Sequence, residues 1–179
     1  ALQPTRPADE PPRSVRAEGD ALCLAEDGID IDIDRFDASI DEATRAEAAG
    51  APSAALVAYE AARALYGGDL LPGVDDDDVA LGRLRLRTLA YAADCRRGEL
   101  SLARGEPEVA MRIAMQARRL DPVAERAHRL LVRCHMALGT TAAARSAADH
   151  LLRVLDEAGL APEDETTLLV RRLSGAARG

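Results

Sequence analysis

Three arginines carry the clearest chemistry in this sequence. Arg126, Arg129 and Arg133 recur at i, i+3 and i+7, a spacing that sets all three on one face of an α-helix. A row of guanidinium groups holds carboxylates and phosphates through paired, charge-assisted hydrogen bonds. The expected ligand is therefore anionic: a carboxylate-ended peptide, a phosphate or a nucleotide. The plainer reading of the same row is a solvated or salt-bridged face meeting acidic residues such as Glu99.

Other reactive residue types are present without the arrangement that catalysis or metal binding needs. Asp75–Asp78 are four consecutive carboxylates. A calcium loop alternates its ligands and fixes a glycine among them, so this run reads as negative charge ahead of a helix N-terminus. Cys134 and His135 are neighbours, with His128 and His150 nearby in sequence. Adjacent helical residues point about 100° apart, so this thiol and imidazole do not converge on one atom. No phosphate-cradling glycine loop, GxSxG or HExxH occurs. The expectation is no catalytic residue, no metal site and no cofactor.

The elements that position the arginines follow from the helix punctuation. Residues 1–13 carry three separated proline signals and little to bury, and read as a flexible arm. Residues 14–33 read as a β-hairpin remnant. Glu18-Gly19-Asp20 supplies a turn, and the alternating Ile29-Asp30-Ile31-Asp32-Ile33-Asp34 gives a half-buried strand signal. From Asp34 the pattern is helical: about 35–49, 52–66, 79–104, 107–120, 122–138, 141–158 and 163–173, punctuated by Gly50, Gly105, Gly139 and Gly159. Residues 175–179 form a tail.

These helices repeat. Gly105 and Gly139 lie 34 residues apart, the period of a tetratricopeptide helix pair. Offsets of five, nine and twelve from Gly105 reach Ala110, Ala114 and Ala117; from Gly139 they reach Ala144, Ala148 and Leu151; from Gly50, Ala55, Tyr59 and Ala62. Mostly small residues at fixed register let two antiparallel helices approach closely along a seam. The tetratricopeptide pattern prefers a large aromatic early in each first helix, where this chain has Asp94 and His128. The expected fold is all-α: a tetratricopeptide-like α-solenoid of about three helix pairs plus a terminal helix, preceded by a small N-terminal β remnant.

Composition agrees. Of 179 residues, 37 are alanine and only 2% are aromatic, which disfavours an all-β fold. No apolar run reaches the roughly 18 residues of a membrane span, and no secretion signal is visible. Cys23, Cys95 and Cys134, odd in number and widely spaced, read as reduced, mostly buried thiols of a cytoplasmic protein. Residues 1–78 hold 19 acidic and 6 basic side chains, a net −13; residues 79–179 hold 12 and 17, a net +5. An acidic chain is ill suited to bind DNA by itself. The start at Ala1 leads us to expect a processed chain or a piece of a longer one.

From about Ile33 to Leu173 the chain resembles the bacterial transcriptional activator domain of the antibiotic-regulatory-protein family of actinobacterial regulators. The resemblance is carried by Asp32-Ile33-Asp34-Arg35-Phe36, Ala64–Gly73, Arg104-Gly105-Glu106-Pro107, Arg119–Leu131 and Leu151–Pro162, in that order. It implies a domain over 34–174 that follows a winged-helix DNA-binding domain, whose closing strands residues 14–33 resemble. By the resemblance to tetratricopeptide arrays, the Arg126, Arg129 and Arg133 face lines a concave groove. Regulation by binding is then expected, through a protein partner, self-association as a homodimer, or an anionic ligand or peptide. Promoter DNA would be reached only through the winged domain, and no membrane is involved. The alternative function is an adaptor domain of a signalling or cell-envelope protein with no DNA-binding role.

Overall fold

A computed structural model describes residues 15–19, 21–24 and 31–175. The arm expected over 1–13 and the last four residues of the tail lie outside them. Strands β1 (Val15–Glu18) and β2 (Ala21–Leu24) pair antiparallel, with Val15 opposite Leu24 and Glu18 opposite Ala21. Seven helices follow among the described residues: α1 (Asp32–Ala48), α2 (Pro52–Leu65), α3 (Asp77–Ala103), α4 (Pro107–Leu120), α5 (Glu125–Ala137), α6 (Thr141–Glu157) and α7 (Asp164–Gly175). Three antiparallel pairs, α1/α2, α3/α4 and α5/α6, are closed by α7, which makes the fold an all-α solenoid.

The expected strand over Ile29–Asp34 is corrected here. Residues 29 and 30 lie outside the described residues, and α1 already begins at Asp32. Ile33 belongs to both patterns, and as a helical residue it shares a face with Phe36 and Ile40 that packs against Ala62, Leu86 and Ala90. Asp32 and Asp34 then fall in the first turn, where the helix dipole favours negative charge. Asp34 is therefore inside the helix and does not cap it. Pro122 does not open α5 either. Asp121 Oδ1 accepts from the Val123 and Ala124 amides at 3.1 Å each, a turn that delays the helix to Glu125.

The repeat has one backbone signature at each intra-pair turn. The Gly105 amide donates to the Leu102 carbonyl and the Glu106 amide to that of Ser101; Gly139 and Thr140 do the same to Met136 and His135. Gly105 and Gly139 sit at φ +77° and +71°, a region that glycine alone enters without strain. Pro52 and Pro107 then open α2 and α4 at their first positions.

The small residues on the repeat register form the seam. Ala55, Ala62, Ala110, Ala114, Ala117 and Ala144 have no exposed surface at all. Core clusters run from Phe36, Ala62, Leu86 and Ala90 at one end to Val132, Ala148, Leu169 and Leu173 at the other. The two off-pattern residues are buried and satisfied. Asp94 pairs with Arg63 (3.0 Å) and Arg97 (2.8 Å). His128 Nε2 lies 2.8 Å from the Pro122 carbonyl.

Candidate functional site

The first helices of the pairs, α1, α3 and α5, together with α7, form one side of the solenoid, with α5 packed between α3 and α7. Arg126, Arg129 and Arg133 project from α5 onto this side and line a single cleft of about 350 Å³ with Glu99 of α3 and Glu165 of α7. The sequence spacing therefore brings the three guanidinium groups together, as the helical register requires.

Their environments differ. Arg126 donates to both oxygens of Glu99, at 2.8 Å each. Arg96 adds a third bond to Glu99 at 2.7 Å and pairs on its other side with Glu47 of α1. Glu47, Arg96, Glu99 and Arg126 thus form a ladder of alternating sign across three helices. Burial pushes the Glu99 carboxyl up, but its Arg126 and Arg96 partners outweigh this and hold it below the ordinary value. The side-chain bond to Arg96 likewise lowers Glu47.

Arg129 is buried and fully engaged. It donates to Glu163 Oε2 at 2.5 Å and to Thr166 Oγ1 at 3.1 Å, and lies 3.2 Å from Glu165 Oε2. Glu125, one turn earlier on α5, accepts the Glu163 amide. These bonds seat the start of α7 on α5.

Arg133 is exposed and makes no ion pair among the described residues. It also lines an adjoining cleft of about 260 Å³ with Glu165, Leu168, Leu169 and Arg172. Arg172 is likewise exposed and unpaired there. So two members of the arginine row are structural cross-links, and the third, with Arg172, presents free cationic charge. Arg172 and Leu168 were missed in the sequence. Their signal is the i, i+3, i+7 row of Glu165, Leu168 and Arg172 on the last helix, visible only once α7 is known to flank α5.

The remaining candidates are placed as follows. Asp76 is the N-cap of α3, accepting from the Asp78 and Val79 amides at 3.0 and 3.1 Å, with Asp77 and Asp78 in the first turn. Cys95 and Cys134 are buried, and burial pushes each thiol up to about 11, so both stay protonated. His135 bonds to Thr140 rather than to Cys134. Among the described residues no group of three His, Cys, Asp or Glu side chains could hold a metal ion, and no helix is long and apolar enough to cross a membrane.

The family described as Bacterial transcriptional activator domain matches residues 31–174. Among solved structures the chain is similar to the Arabidopsis OM64 TPR domain. The TM-score is 0.60 at 13% identity, over 82% of this chain and 99% of that one. At that identity the likeness carries the fold alone. No curated protein matches the chain.

Proposed function

Since the chain belongs to the bacterial transcriptional activator domain family, we propose that it is the regulatory and self-association domain of a bacterial regulator of the antibiotic-regulatory-protein type. In this reading it acts in the cytoplasm on an attached winged-helix DNA-binding domain, by non-covalent binding and with no catalytic step. The transcriptional-regulator type of the domain and its tetratricopeptide-like fold are the fixed points. The hairpin of β1 and β2 ahead of α1 supports the winged half, because it fits the closing strands of such a domain.

The observation that carries the reading is the unpaired Arg133 in the cleft beside Arg126 and Arg129. Those two are committed to holding α3, α5 and α7 together, so an incoming carboxylate or phosphate meets Arg133 first. Occupancy at the α5/α7 junction would then bias how two copies sit, and with it the spacing of two DNA-binding halves on an operator. The test uses the intact regulator, with promoter DNA from its own operon and an Arg133→Glu variant. Specific promoter binding by the wild type, and a changed operator affinity or transcript level in the variant, are expected. A wild type without specific promoter binding would sink the regulatory reading.

A further inference from the structure

Two further surfaces carry exposed side chains of opposite charge that make no ion pair among the described residues. The first is at the junction of α2 and α3. α3 has 27 residues against 14 in α4, so its first turns extend beyond the helix it pairs with. There Leu86 and Ala90 bury against α1 and α2, while Leu81 and Leu84 stand 64% and 61% exposed. Asp77 and Asp78 lie one turn before Leu81 on the same face. The preceding loop is pinned beside them. Arg83 donates to the carbonyls of Leu70, Leu71 and Val74, and Leu71 is held at φ +44°, a conformation that needs such restraint in a non-glycine residue. This part of the molecule is an acidic, apolar knob held rigid from within.

The second surface is the cleft of about 260 Å³ between α5 and α7. Leu168 is 53% exposed at its edge, Leu169 forms its floor, and Arg133 and Arg172 bracket it without ion-pair partners among the described residues. Glu165, the acid in the cleft, is taken by Arg129 at 3.2 Å.

We propose that these surfaces are the two sides of one contact between copies of this chain. Asp77, Asp78, Leu81 and Leu84 of one copy seat on Arg133, Arg172 and Leu168 of another. The inference rests on the self-association in the reading above and assigns the surfaces that make it. Charge complementarity selects the occupant. Each surface has exposed leucine beside exposed charged side chains that make no ion pair among the described residues, Asp77 and Asp78 on one and Arg133 and Arg172 on the other, and their signs are opposite. The whole sequence shows the same polarity, with −13 in residues 1–78 and +5 in residues 79–179. Knob against knob, or cleft against cleft, brings like charges together and is disfavoured. The contact made twice about a twofold axis satisfies both surfaces and closes a dimer.

The test is the solution mass of the 179-residue chain by sedimentation velocity across a concentration series. It is run at about 0.1 M and about 1 M salt, between which the screening length falls from about 10 Å to about 3 Å. Concentration-dependent association that weakens at high salt is expected. Asp77→Arg with Asp78→Arg, and separately Arg133→Glu with Arg172→Glu, should each weaken it by roughly tenfold or more. Mixing the two double variants should restore it, because each reversed surface then meets its complement. Leu81→Ser with Leu84→Ser provides a second approach to the knob that leaves the α3 N-terminus charged as in the wild type, and circular dichroism verifies that each variant is folded. A wild type that stays monomeric, association indifferent to both reversals, or no restoration on mixing would each overturn the contact. A monomeric chain whose intact regulator still binds its promoter removes this contact alone; an associating chain with no promoter binding removes the regulatory reading alone.

Discussion

Glu99 of α3 and Arg126 of α5 meet through two parallel hydrogen bonds of 2.8 Å, Nε to Oε1 and Nη2 to Oε2. The pair joins the first helices of two successive repeats, 27 residues apart in sequence. With 21% of the Glu99 side chain exposed and 35% of Arg126, it falls between an exposed and a buried ion pair. Glu99→Gln is expected to cost about 1–2 kcal/mol at neutral pH. The folded-state pKa of Glu99 is held below its ordinary 4.5, so the folded state releases this proton more readily than the unfolded one. The contribution is complete above about pH 4.5 and is lost as pH falls through the folded value. Urea melts of wild type and Glu99→Gln should therefore differ at pH 7 and converge in acid. An equal difference at both pH values would refute this account of the ladder.

At Gly98 α3 packs closely against α4 and α5. A Cβ there would lie 2.4 Å from Leu130 Cδ2 and 3.5 Å from the Ala110 carbonyl oxygen. Leu130 is 1% exposed and has nowhere to move. Gly98→Val is expected to destabilise by about 2–3 kcal/mol through overpacking. Combined with Leu130→Ala, it should cost less than the two single changes added, since the space removed by one is supplied by the other. Chemical denaturation of the three variants measures this directly, and strict additivity would show that the helices do not touch there.

His128 is a buried base, 2% exposed, with the His150 ring centroid 5.7 Å away. Burial lowers its pKa below 6.5, and Arg118 and His150 add to that; the Pro122 carbonyl and Asp121 oppose it. The unfolded chain then takes up this proton at a higher pH than the folded one. Stability is complete above about pH 6.5 and declines as pH falls from there through the folded value. Thermal melts at roughly pH 7.5 and pH 5.5 should separate for the wild type. His128→Phe should remove His128's share of that separation; an unchanged separation would mean that another group titrates.

Arg83 clamps the α2–α3 loop through three carbonyls, with the Val74 oxygen at 2.8 Å and the Leu70 oxygen at 2.6 Å. Because the bonds are local and partly exposed, Arg83→Ala is expected to change global stability by less than about 1 kcal/mol. Local opening should respond instead. Amides of Leu70, Leu71, Gly73 and Val74 should exchange about tenfold faster, while those of α4 and α5 keep their wild-type protection. Uniformly faster exchange across the chain would mean that the clamp supports the whole fold.

What the sequence determined by itself is the part of the structure that follows local rules. Glycines at a 34-residue interval, prolines at helix starts and alanines at fixed offsets specify paired helices with a tight seam, because turn geometry and helical register depend on nearby residues. The same register put Arg126, Arg129 and Arg133 on one face, which is why they share a cleft. Where local patterns overlap, the tertiary structure decided. Ile33 fits a strand by alternation and a helix by its spacing to Phe36 and Ile40, and burial against Ala62, Leu86 and Ala90 selected the helix. The fate of each arginine was likewise a matter of distance along the chain. Glu99 comes from one repeat earlier, and Glu163 and Thr166 from more than thirty residues later. Only the stacking of helices shows that these groups reach Arg126 and Arg129 and that Arg133 makes no ion pair among the described residues. Periodicity fixes the direction a side chain points; the packing of distant segments fixes what it meets there.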